Sequence, residues 1–397
     1  MRWWANRCSV RRSCRTGAPP YRACVCLIAA LVGCETVQFE ARERSAPPPN
    51  ETDSRDDLAG ARTSATHLQV GPGASCAVLE GGALWCWGKG SGMAAAGPQQ
   101  VAEDGVTDVS VGAQRYCFLR DGEGYCAGRT FRSYYDANGP QETHDAPTRI
   151  RGAVQMRALS AGTWHTCYLS DAGAIRCLGD PESGAGQGAS IRRLGTPVLR
   201  NASMVTSGRL HSCGVNAEGL HCWGASRGGA LGTTAVRSFT PRAKRVEGIE
   251  QVRHMRAAAS EPLTCAIFGE SELACWGSAG ARLLGETPVR LETPDDALHR
   301  VTVGSHAAFV VTESGALYRY AINSEGGADA PFFGTPRRLD VPPLEDVGAG
   351  IAHRCGLGKD GAVRCWGLAA FGRLGQPDGQ VGEVVPAEDA VVVSFGG

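Results

Sequence analysis

Between residues 67 and 397 the apolar positions gather in short strand-like runs, each closed by a small residue, as in Asp108 to Gly112, Ala158 to Gly162 and Arg300 to Gly304. No stretch carries a convincing helical period of apolar positions. Turn signals separate the runs and predict hairpins. Asp121-Gly122 suits a two-residue type I′ turn, because aspartate and glycine tolerate positive φ. Folding about it sets Arg120 opposite Glu123 and Cys117 opposite Cys126. Glu80-Gly81-Gly82 supplies one more loop residue and places Cys76 opposite Cys86. The pattern predicts an all-β chain of short antiparallel strands.

The same spacing of nine or ten residues recurs in six cysteine pairs: Cys76 with Cys86, Cys117 with Cys126, Cys167 with Cys177, Cys213 with Cys222, Cys265 with Cys275, and Cys355 with Cys365. The segment from Gly304 to Ala321 has the same layout, with Phe309 and Arg319 in the two cysteine places. Both members are lost together, as expected of bonded sulfurs. Opposed residues of an antiparallel pair lie about 4.5–5.5 Å apart at Cα, a span a disulfide can bridge. Zinc ligands would pair at two to four residues and converge on one ion, a spacing missing here. Disulfides are therefore expected, with buried free thiols as the alternative, and disulfides persist only outside the reducing cytosol.

A second marker recurs independently: Pro98, Pro147, Pro197, Pro241, Pro288, Pro336 and Pro386, separated by 44 to 50 residues. After the hairpin, Trp87-Gly88, Trp223-Gly224, Trp276-Gly277 and Trp366-Gly367 keep an aromatic and a glycine, while Ala127-Gly128, Leu178-Gly179 and Tyr320-Ala321 vary. Units of 40–50 residues with about four strands are the signature of β-propeller blades. Seven units predict a seven-bladed propeller with intra-blade disulfides, and the recurrent aromatic reads as core between blades. Val391-Val392-Val393-Ser394-Phe395-Gly396-Gly397 looks like the opening strand of a further unit and is expected to pair with the terminal-blade sheet and latch the ring.

Residues 1–34 read as a signal peptide. Arg7, Arg11, Arg12, Arg15 and Arg22 form a basic region, followed by an apolar run from Ala23 to Val32 too short to span a bilayer stably. Leu31-Val32-Gly33-Cys34 resembles the lipobox of bacterial lipoproteins, which would make Cys34 the lipidated first residue of the mature chain. Ordinary cleavage nearby, leaving a secreted protein, is the alternative. Residues 35–66 are polar, with a Pro47-Pro48-Pro49 run, and read as a disordered tether before the propeller of residues 67–397. The 54 glycines among 397 residues fit many tight turns, and a formal net charge of zero argues against a nucleic-acid or anionic-membrane binder.

The set of motifs resembles the regulator of chromosome condensation repeat: a small residue and glycine, often histidine and cysteine, a turn, tryptophan-glycine, a Gly-x-Leu-Gly element and a proline. Trp366-Gly367 with Gly372-Arg373-Leu374-Gly375 is the fullest example, and Trp223-Gly224 with Gly229-Ala230-Leu231-Gly232 follows. The resemblance covers roughly residues 67 to 397, with units two and six degenerate, and implies a seven-bladed propeller. The founding eukaryotic member of that family is a guanine-nucleotide exchange factor for a nuclear GTPase. An exported, disulfide-bonded chain would not meet that partner, so the activity is not carried over.

His165, His211 and His353 each stand two residues before the first cysteine of a hairpin. Recurrence at one repeat position points to a structural duty. No metal-ligand cluster, phosphate-binding loop or nucleophile elbow is present, so no catalytic residue, cofactor or metal is expected. The unrepeated aromatics Phe131, Tyr134 and Tyr135 of unit two, with Phe332 and Phe333 of unit six, are the candidate binding anchors, unless their loops fold back and bury them. Arg237, Arg242, Lys244, Arg245, Arg253 and Arg256 form a basic stretch diluted by Glu247 and Glu250, read as solvated loop surface. These features favour a non-enzymatic binding or scaffold protein of the bacterial cell envelope, lipid-anchored to the outer membrane, that recognises a protein or envelope component through its loops. A propeller lyase or glycosidase acting on polysaccharide is the alternative.

Overall fold

The computed structural model describes residues 64–90, 97–130, 142–180, 184–185, 194–236, 238–323, 330–376 and 383–396. The leader, Cys34, nearly all of the tether, Arg237, and the candidate anchors Phe131, Tyr134 and Tyr135 lie outside the described residues.

Among the described residues twenty-eight strands form seven antiparallel sheets, each built from one contiguous stretch of chain, with strands neighbouring in sequence order. These are the seven blades. Five have four strands; blade 3 has three, with Leu199 bridging to Ile175, and blade 7 splits its outer strand in two. The first strand of every blade lines a central channel with a cavity of about 40 Å³. The turn of blade 2 has the geometry its sequence predicts, with φ of 53° at Asp121 and 71° at Gly122.

All six cysteine pairs are disulfides joining the two middle strands of a blade, with Cα atoms 4.0 to 4.1 Å apart. Cys76 bonds to Cys86 in blade 1, Cys117 to Cys126 in blade 2 and Cys167 to Cys177 in blade 3. Cys213 bonds to Cys222 in blade 4, Cys265 to Cys275 in blade 5 and Cys355 to Cys365 in blade 7. The alternative of buried free thiols at these twelve positions is thereby set aside. Each pair is also directly opposed in its hairpin, so the strand register alone brings the sulfurs together. In blade 6 Phe309 stands opposite Arg319 at the same register. There the sulfurs are replaced by packing: Phe309 is buried, with the Arg354 guanidinium of blade 7 over its ring at 5.5 Å. Trp87, Trp223 and Trp276 are fully buried between blades, as large apolar groups at a sheet–sheet seam should be.

The C-terminal tail departs from expectation. Val391–Val392 does pair with the terminal-blade sheet, but not as the first strand of a new unit. Val391 stands opposite Cys365, the register at which Gln99, Thr148, Lys244 and Val289 stand opposite Cys86, Cys126, Cys222 and Cys275 of their own blades. With Val384–Val385 it is therefore the outer strand of blade 7, interrupted at 386–390. Outer strands of blades 1, 2 and 4 are polar because one side is wet. This one is apolar because Val393 is buried in the seam with blade 1, where Phe395 lies 5.8 Å from Trp87 and 6.2 Å from Trp85.

Blades 7 and 1 thus meet through side chains and single hydrogen bonds, with no shared sheet. Ala65 N donates to Gly361 O at 2.9 Å, as Val106, Met156 and Leu344 donate to the turn glycines Gly82, Gly122 and Gly315. Removing residues 390–397 should destabilise the whole ring by on the order of 3 kcal/mol, since it strips a buried valine and an aromatic from this seam. Thermal unfolding of truncated and full-length protein under oxidising conditions checks this, and an unchanged midpoint would refute it.

Candidate functional site

The three repeated histidines are buried and face the next blade. His165 Nε2 meets Ser212 Oγ at 2.6 Å, His211 Nε2 meets Thr264 Oγ1 at 2.7 Å, and His353 Nε2 meets Ser75 Oγ at 3.1 Å. Each partner immediately precedes the first cysteine of its own blade. Loss of solvent pushes His211 down to about 4 and His353 down to about 3, with the Arg373 and Arg354 charges adding to the second. His165 falls well below the usual range through burial and the Arg115 charge. These rings are neutral near pH 7 and enclosed, which suits cross-blade hydrogen bonding and not proton transfer to a substrate.

The channel wall is stitched by a similar device. Ser110 Oγ accepts from Ala161 N, Ser160 Oγ from Ser207 N and Thr206 Oγ1 from Ala257 N, at 2.8 to 3.0 Å. Between blades 2 and 3 Asp108 Oδ2 also accepts from Leu159 N at 2.8 Å, and between blades 5 and 6 His254 Nδ1 accepts from Val301 N at 3.2 Å. Burial raises the Asp108 carboxyl, against the opposing pull of His67, 3.5 Å away, and of Arg256. Among the described residues no group of three His, Cys, Asp or Glu side chains could hold a metal ion.

The structure corrects one pair of candidate anchors. Phe332 and Phe333 are buried, edge-to-face at 5.0 Å, within the apolar cluster between blades 5 and 6. Arg282 pins this loop: its guanidinium donates to the carbonyls of Asn323 and Ala330 and lies 5.8 Å from the Phe332 ring. The two rings fill the seam because Tyr320 and Ile322 leave apolar surface there to cover. The basic stretch does not form one patch either. Arg253 pairs with Glu313, Arg245 approaches Glu247 and Glu250, and Arg256 lines the channel. Sequence reading missed an exposed apolar and cationic surface at the seam of blades 7 and 1, where Ile351 and Phe371 are each 44% exposed. The signal for it was present: in the alignment of repeats Phe371 occupies the place of Gly228.

No protein-family model matches the chain. Over 295 residues it is 25% identical to the ultraviolet-B receptor UVR8 of Arabidopsis thaliana, covering 68% of this chain and 67% of the receptor. It is 29% identical over 195 residues to the RCC1 domain-containing protein RUG3, mitochondrial, of the same plant, covering 43% of each. Among solved structures human WBSCR16 superposes with a TM-score of 0.60 at 14% identity, covering 76% of this chain and 84% of that one. The fold is an RCC1-like seven-bladed β-propeller.

In this RCC1-like ring the recurrent motifs interlock between repeats. Trp223 Nε1 donates to Gly184 O at 2.8 Å, Trp276 Nε1 to Ala230 O at 3.1 Å and Trp87 Nε1 to Arg373 O at 3.2 Å. The acceptors belong to the loop of the preceding blade, and Ala230 and Arg373 hold the same place in the Gly-x-Leu-Gly element. A Cβ on Gly232 would lie 2.8 Å from Trp276 Nε1, so that glycine serves close approach. The tryptophan and the Gly-x-Leu-Gly element thus meet across a blade boundary. These repeated side chains are occupied with joining neighbouring blades.

Proposed function

We propose that this RCC1-like propeller is a non-enzymatic binding scaffold, held outside the cytoplasm of a bacterial cell by lipid on Cys34, and that its loops recognise a protein or envelope component. The observation that carries the reading is the employment of the repeated polar side chains. His165, His211, His353, Ser110, Ser160 and Thr206 are all buried and all bridge neighbouring blades. Six intra-blade disulfides support export, because such bonds persist in oxidising compartments.

Two measurements test it. Replacing Cys34 with alanine should move the protein from the membrane fraction to the soluble fraction, and the native protein should carry lipid by intact mass. A variant equally membrane-bound, with no lipid on the native chain, would remove the anchor from the proposal. Envelope extract passed over the immobilised protein should yield a stoichiometric partner. Turnover of envelope polysaccharide would instead place the molecule among the propeller lyases or glycosidases.

A further inference from the structure

The loop after the last tryptophan-glycine holds a residue that folding does not ask for. Blades 4 and 7 carry the same turn there. In blade 4 Gly228, Gly229 and Gly232 have φ of 58°, 75° and 66°; in blade 7 Phe371, Gly372 and Gly375 have φ of 59°, 66° and 80°. The backbone thus takes the left-handed conformation at this place in both blades. Glycine adopts it freely, whereas a phenylalanine is held there at a cost. Nor does burial compensate, since the ring is 44% exposed.

Two cations flank that ring. Lys89 Nζ, from blade 1, lies 4.8 Å from its centroid and the Arg373 guanidinium carbon 5.4 Å. Among the described residues neither cation is within ion-pair distance of a carboxylate, and Arg373 Nε is buried with no hydrogen-bond partner. The Arg373 charge is felt nearby, since it adds to burial in holding His353 neutral. The surface continues across the seam: Lys89 N donates to Gly73 O, and Ile351 N donates to the adjoining Pro72 O. Among the described residues, an exposed aromatic and two cations out of ion-pair reach of a carboxylate therefore share one surface at the junction of blades 7 and 1, with the exposed Ile351 on a loop hydrogen-bonded to the same turn of blade 1.

We infer that this surface docks a protein segment that sets an aspartate or glutamate beside an apolar side chain. The inference rests on the binding-scaffold reading and deepens it by naming the face and the partner's chemistry. A carboxylate would complete the pairing of Arg373 and Lys89, and the apolar neighbour would cover Phe371 and Ile351. Charge-assisted bonds to guanidinium beside aromatic contact make the kind of anchor that dominates binding energy. Two cations on a chain of zero net charge are too few for a nucleic acid or a polyanionic sugar.

The test uses the full-length oxidised protein and a phage-displayed library of random peptides, with selected peptides resynthesised and titrated by fluorescence anisotropy. Peptides pairing acidic and apolar residues should be enriched. They should bind Phe371→Gly, and the double variant Lys89→Glu with Arg373→Glu, at least about tenfold more weakly. Meanwhile Phe371→Gly should unfold at the same or a higher temperature, because glycine relieves the backbone. A clear fall in its midpoint would make Phe371 a packing residue and overturn the inference. Acidic peptides that bind all variants equally would overturn it too, while leaving the scaffold reading intact. So would the finding that only dextran sulfate or anionic-lipid vesicles lose affinity in the variants.

Discussion

Full reduction of the disulfides should unfold the propeller at room temperature without denaturant. Each bond closes a loop of nine or ten residues within a blade. In the chain-entropy model such a loop contributes about 2–3 kcal/mol. A whole domain is stable by only about 5–15 kcal/mol, so losing six such terms exceeds the margin even if they add imperfectly. Blade 6 shows that one blade can do without the bond when Phe309 and Arg354 fill the gap. A single pair replaced, Cys213→Ala with Cys222→Ala, should cost about 2–3 kcal/mol and leave the ring folded. Urea unfolding followed by tryptophan fluorescence, with and without reductant, measures both. Equal midpoints in the two conditions would show that the blades hold by packing alone.

Acid should weaken the ring well before its carboxylates titrate. Unfolded histidine takes up its proton near pH 6.5. In the folded ring His211 does so only at about 4, His353 at about 3, and His165 and His254 well below the ordinary value. Between those limits the unfolded chain binds more protons than the folded one, so stability falls as pH falls. The full contribution is present above about pH 7 and is lost from about 6.5 downward. Each group can remove up to about 1.4 kcal/mol per pH unit, so several together can cost several kcal/mol by pH 5. The raised Asp108 carboxyl acts in the opposite sense, because the folded state then binds its proton first. Thermal midpoints measured from pH 7.5 to 4.5 should drop steeply. His211→Gln, which can still hydrogen-bond to Thr264, should flatten that drop, and an undiminished slope would remove His211 from the account.

The blade count, the disulfide pairing and the turn about Asp121-Gly122 are local in origin, and the chain itself determined them. Hairpin register follows from turn length, so Cys167 faces Cys177 and Cys265 faces Cys275 whatever the rest of the ring does. The paired change to Phe309 and Arg319 sits at the expected register for the same reason. The place of the histidines was legible as structural because it recurs, but their Ser and Thr partners lie one repeat away. What the tertiary structure alone decided is which surface meets which seam. Phe332 and Phe333 look like loop anchors until Tyr320 and Arg282 are seen to hold them inside. Val391 to Val393 look like an inner strand until the register against Cys365 shows an outer strand made apolar by Trp85 and Trp87 of the first blade. The burial of the tail rests on contacts between residues some three hundred positions apart, and a repeat pattern carries no sign of where the ring will bring its first and last blades together.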